Sequence, residues 1–235
     1  MIRGAFRTTV PLGVLAFWAG VWIAARRYPS EYDWRYMTVS SLLYPERNPD
    51  GYRWGWAGIV LCALAGAHWW AMLASGEEER NLSRRVALWA LGVGYLCMLC
   101  CPLLPARALS LPRAHDLLAL LAFVGVCIGT ASFAFYVGAR STRLGDRSGD
   151  SRLNGAFLAI FPVSPIALAA LTQAYVSRTM PSLPWVGLAW RAHGVPVYLS
   201  FAFWEWTACA VLSAYMLVLA RVHPARDERR IGERA

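Results

Sequence analysis

The chain has no lysine: all 23 of its basic residues are arginine, set against 14 acidic residues and four histidines. Only 16% of its residues are charged, where soluble domains usually run near about a quarter. The shortage of charge excludes an ordinary soluble surface. The missing lysine is a compositional bias and carries no mechanism. A net charge of +9 would suit a nucleic-acid binder, but no soluble basic domain is present to hold such a patch, so no nucleic-acid partner is expected. The first apolar run is not followed by a small-residue cleavage site. Arg26-Arg27-Tyr28-Pro29 comes instead, so the run reads as a retained helix and not as a signal peptide. Haem ligation by two histidines at one depth is not offered: His68 lies deep in an apolar run, His115 and His193 lie at run ends, and His223 falls beyond the last run. No His/Cys quartet has zinc-site spacing. No metal and no cofactor is expected.

What is present is apolar length. Hydrophobic residues make up 57% of the 235-residue chain, and its mean hydropathy is +0.39. They gather into runs of the length that crosses a hydrocarbon core about 30 Å thick. Six transmembrane helices are expected, at about 9–25, 54–75, 86–104, 117–139, 153–176 and 197–220, followed by an arginine-rich tail over 221–235. No linker and no repeat divides the chain, so residues 1–235 read as a single membrane domain. The expected fold class is all-α, a polytopic six-helix bundle.

Arginine asymmetry orients it. The N-terminus, the second and fourth connections and the tail hold fourteen arginines; the other three connections hold nine. The richer side should be cytoplasmic, which places both termini inside and predicts a multi-pass protein of the bacterial cytoplasmic (inner) membrane. Aromatic residues form two belts at the run ends, with Trp34, Trp54, Trp56 and Trp190 outside and Trp69, Trp70 and Trp89 inside. The longest connection, about 26–53, lies outside. Its middle, Trp34–Tyr44, alternates apolar and polar residues and reads as a short interfacial helix.

Polar residues converge on that outer side. His115-Asp116 opens the fourth run. A histidine beside a carboxylate can act as a general base, and Ser40 or Ser41 would complete an acyl-transfer set. Equally, Asp116 can serve the helix start electrostatically. Glu205, in Phe203-Trp204-Glu205-Trp206, sits within the sixth run, roughly 12 Å below a helix start at Val197. An intramembrane carboxylate needs a partner, and Arg178, Arg191 and His193 are the candidates. Cys97 and Cys100 form a CxxC pair near the outer end of the third run. They could work as a quinone-linked thiol centre or simply pack as small apolar residues. Gly125 and Gly129 make a small-xxx-small step that permits close helix packing. Pro162 and Pro165 should kink the fifth run.

The order of these features resembles a known family. Thr38-Val39-Ser40-Ser41-Leu42-Leu43 is followed by a Pro/Asn/Asp/Gly turn, a small-residue-rich second run, the proline-terminated Leu99-Cys100-Cys101-Pro102, and then His115-Asp116-Leu117-Leu118-Ala119. Over about residues 10–220 this is similar to the bacterial six-helix membrane family called domain of unknown function 998. That family is itself distantly similar to the eukaryotic Frag/DRAM membrane proteins, some of which act in lipid-anchor remodelling. The resemblance implies six spans and a lipid-related role. Where the family reads Ser-Asp-Leu-Gly, this chain has Ser40-Ser41-Leu42-Leu43, without the acid or the glycine.

Three functional expectations follow. The first is a pocket open to the outer leaflet, lined by Ser40, Ser41, His115, Asp116, Arg178, Arg191, His193 and Glu205, that binds or processes a lipid headgroup. His115 would be the base and Asp116 its orienting group, with membrane lipids as the partners. The second is a non-catalytic accessory subunit of a larger membrane complex, respiratory or photosynthetic, whose protein partners would meet the Gly125–Gly129 face. The third is a thiol–quinone oxidoreductase.

Overall fold

Long apolar runs satisfy their own backbone hydrogen bonds only as helices when water is absent, and the chain complies. A computed structural model describes residues 2–75, 81–103, 114–143, 160–183 and 189–232. Among these residues the structure is all-helical, with no strand. The helices are α1 (Ile2–Arg26), α2 (Tyr52–Ala74), α3 (Leu82–Leu103), α4 (Ala114–Arg143), α5 (Ser164–Thr179), the single turn α6 (Ala189–Ala192) and α7 (Phe201–Gly232). Short 3-10 segments occupy Val39–Leu42 and Val197–Leu199. Five stretches are long and apolar enough to cross a membrane: Thr8–Arg26, Tyr52–Ala74, Leu82–Pro102, Leu117–Gly138 and Phe201–Ala220. This is the build of a multi-pass membrane protein.

Helices α1 to α4 pack in sequence as antiparallel neighbours, and glycine sets how closely. A Cβ on Gly58 of α2 would lie 2.7 Å from the Ala16 carbonyl oxygen of α1, so the two backbones touch there. On α4, a Cβ at Gly125 would lie 2.8 Å from both the Ala90 carbonyl oxygen and the Gly94 Cα of α3. Lipid tails are as apolar as leucine, so such contacts hold membrane helices together through dispersion at short range. The Gly125–Gly129 step is therefore used within the chain, against α3. Between α2 and α3, the Tyr95 ring packs over Gly66 and the Trp70 indole donates to the Leu88 carbonyl at 2.7 Å. Trp69 is buried against Phe133 of α4, ring centres 5.6 Å apart. It belongs to the core and not to an aromatic belt, because its ring fills the α2–α4 seam.

The C-terminal half departs from the expected boundaries. The last span begins at Phe201, after a 3-10 turn over Val197–Leu199, because Pro196 and an extended Ser200 interrupt the run. Glu205 is thus about 6 Å from its helix start, at 1.5 Å per residue. Of the fifth expected span, residues 153–159 lie outside the described residues. A turn covers 161–163, and α5 starts at Ser164 with Pro165 in its first turn. Ile160, just before that turn, is itself helical, so Pro162 lies in an interruption of the run and Pro165 opens the helix after it. At 16 residues, α5 is about 24 Å long. It packs along α7, from Phe161 stacked on Tyr215 up to Val176, which is buried with Tyr36, Trp190 and Val195.

Candidate functional site

The connection between α1 and α2 is not an interfacial helix. It folds inward over the end of the bundle, burying Tyr36, Met37, Val39, Leu42 and Leu43. Polar contacts pin it at three places. Asn48, with 0% exposure, donates its amide to the carbonyls of Ala24 at the end of α1 (3.0 Å) and of Leu42 (3.1 Å). Asp33 takes Arg35 in a fork, Nε at 2.8 Å and Nη2 at 3.0 Å, and reaches Arg191 Nη1 at 3.2 Å. The Tyr36 hydroxyl donates to the Val195 carbonyl at 2.7 Å. The last two contacts join the loop to the segment before α7, so both lie at one end of the bundle. Hydrogen bonds from the Arg35 guanidinium hold the Asp33 carboxyl below its usual value. Burial pushes the Tyr32 phenol above its usual value. The phenol therefore stays protonated and donates to the Met37 and Thr38 carbonyls, both at 2.9 Å.

The sequence-derived residues divide by what they touch. Glu205 accepts from the Val39 backbone N–H at 3.1 Å, meeting the first donor of the 3-10 turn, and not from Arg178, Arg191 or His193. Thr38 Oγ1 bonds the hydroxyls of Ser40 (2.8 Å) and Ser41 (3.0 Å), so Ser40, Ser41 and Glu205 come together around one turn of the loop. Arg191 is exposed and pairs with Asp33. Arg178 and His193 are exposed, in the last turn of α5 and in the turn after α6. His115 and Asp116 lie in the first described turn of α4, and their side chains fall outside the described residues. None of the six cysteines forms a disulfide, and Cys97 is buried and Cys100 partly so. Among the described residues no cluster of three metal-ligating side chains occurs.

The cavity at this end is not lined by the hydroxyl turn. It is a groove between α1 and α7 under the loop, in two adjoining parts of about 450 and 430 Å³ that share Trp18, Trp34 and Trp206. Its deeper part ends at Thr207 and Ala210 of α7; its upper part reaches Arg26, Ser30 and Glu31. The indole N–H groups of two shared residues turn into the protein: Trp18 donates to Ser213 Oγ (3.1 Å) and Trp206 to the Met37 carbonyl (3.0 Å). The rings thus present apolar faces to the groove, with no polar debt to settle there. Trp22 and Trp34 at its edges are 60% and 49% exposed, so the groove opens sideways from the bundle. Sequence reading put Trp34 in a belt and made nothing of Trp18, Trp22 or Trp206. Their only common signal was aromatic density near the ends of the first and last runs.

Fold and groove together define a class: an all-helical, multi-pass membrane protein with an aromatic groove on its flank. No protein family matches the chain, and neither a curated protein nor a solved structure matches it.

Proposed function

We propose that the protein binds a lipid of the outer leaflet in the groove between α1 and α7. The carrying observation is the groove itself, apolar and aromatic below, charged at its upper rim, and open sideways. From Trp18 to Arg26 it follows α1 for about 12 Å, within one leaflet of a core about 30 Å thick. An acyl chain lies on indole faces while its headgroup meets Arg26, Ser30 and Glu31. The folded loop is the lid that supplies half of that rim.

The proposal includes the topology: six crossings, both termini cytoplasmic, in a bacterial inner membrane. Arginine asymmetry supports the orientation. The sixth crossing is supported by α5, which climbs beside α7 from the level of Tyr215 to the loop end. We assign binding and not a reaction, because the observation that carries the proposal is the groove, which the hydroxyls of Thr38, Ser40 and Ser41 do not line. The accessory-subunit reading loses one of its supports, since Gly125 abuts Gly94 inside the chain.

Native mass spectrometry after gentle extraction tests the binding. The wild-type chain should retain about one lipid. Ala210→Trp, which fills the groove from an exposed position on α7, should lose it while keeping the wild-type melting temperature. Equal retention by both proteins would place the lipid elsewhere and refute the assignment.

A further inference from the structure

We propose that the groove rim selects a zwitterionic phospholipid, one whose headgroup joins a phosphate to an alkylammonium. This rests on the groove being a lipid site. The rim carries one cation and one anion, Arg26 and Glu31, both exposed and both lining the upper part. Neither has an ion pair among the described residues. The Arg26 guanidinium lies over the Trp22 ring, 5.4 Å from its centre. This cation–π contact holds the guanidinium at the rim, with N–H donors left for phosphate oxygens. Arg35, a neighbouring cation that could neutralise Glu31, is held in the fork by Asp33. Glu31 therefore feels the Arg35 charge through space but keeps its carboxylate oxygens for a ligand.

Beside Glu31 stand Tyr32 and Tyr28, their rings packed edge to face at 5.5 Å, and the half-exposed Trp34. A carboxylate with aromatic faces around it favours an ammonium, by charge and by cation–π attraction. An anionic headgroup would satisfy Arg26 but leave Glu31 unpaired against a negative ligand, and selectivity comes from that mismatch as much as from the match. A primary ammonium would engage mainly the carboxylate, and a quaternary one mainly the rings.

The experiment offers the full-length protein equimolar phosphatidylethanolamine, phosphatidylcholine and phosphatidylglycerol with identical acyl chains, and counts retained lipid by native mass spectrometry. Each of the two zwitterionic lipids should exceed phosphatidylglycerol by about 2- to 5-fold, the range of a solvent-exposed charge contact. Their mutual order says whether carboxylate or rings lead; either order supports the proposal. Glu31→Arg should reverse the preference towards phosphatidylglycerol. Arg26→Gln should lower retention of all three and keep their order. A wild-type preference for phosphatidylglycerol, or an order unchanged by Glu31→Arg, overturns the proposal. If Ala210→Trp abolishes retention in that same experiment, the groove remains a lipid site and only its selectivity was misread. If Ala210→Trp changes nothing, the groove reading itself has failed.

Discussion

Removing the Asn48 amide should unfasten the loop that forms the groove rim. Its two N–H bonds reach carbonyls that nothing else is seen to satisfy: Ala24 at the end of α1, and Leu42 at the end of the 3-10 turn. The side chain is fully buried, so water does not replace it. Each bond is worth about 1 kcal/mol net, and stranding a buried carbonyl costs a further ~1 kcal/mol at the lower end of the usual range. Two of each give about 4 kcal/mol for Asn48→Ala, reduced to about 3 kcal/mol if the cavity admits a water. For a chain of this size 1 kcal/mol moves the melting temperature by about 2–4 °C, so a fall of about 10 °C is expected in a detergent thermal melt. Asn48→Asp is the sharper variant. It keeps the shape but turns an oxygen towards each carbonyl, and should be at least as damaging as alanine. Because Tyr28, Ser30, Glu31 and Trp34 reach the groove from this loop, both variants should also shed lipid below their melting temperatures. An Asn48→Asp protein as stable as wild type would refute the reasoning, since the amide could then not be the donor to both carbonyls.

Asp33 predicts a pH dependence. Its carboxyl is held below the unfolded value of about 3.9 by Arg35 and, more weakly, Arg191, so the unfolded chain binds the proton more readily. The contribution to stability is complete above that unfolded value and is lost as pH falls through the lowered folded one. Melting curves from pH 7 to pH 2 should show an acid-side loss that Asp33→Asn abolishes in part; an identical pH profile for both proteins would count against the latch. Gly125→Ala should force α3 and α4 apart, because its Cβ meets backbone and not a movable side chain. Overpacking of this kind costs about 1–3 kcal/mol, visible as a lower melting temperature, and an unshifted melt would show the contact to be looser than described.

Much of the bundle was legible in the sequence because crossing a hydrocarbon core imposes a length and forbids charge. Five helix positions, 9–25, 54–75, 86–104, 117–139 and 197–220, fall within a few residues of the spans found. The pressure that fixed them is local: each run must satisfy its backbone alone. The small-residue step on α4 was readable as a packing face for the same reason, though not which helix it would face. Pro162 and Pro165 marked where the fifth run is interrupted, and a turn over 161–163 lies there between helical Ile160 and α5.

Only the tertiary structure decided the site. Composition marked Ser40, Ser41, Arg191 and Glu205 as polar groups at one end of the bundle. It could not say that Glu205 would meet the Val39 N–H, or that Arg191 would pair with Asp33, because those partners are about 160 residues apart in the chain. Nor could it find a groove whose walls come from Trp18 on α1, Trp34 in the loop and Trp206 on α7. A side chain facing lipid and one facing a neighbour read alike in an apolar run. The sequence thus determined that the chain enters a membrane and about where its helices lie, since length and charge are paid for residue by residue. Which ends meet, and what space they leave between them, came from packing, where each contact depends on where distant helices stand.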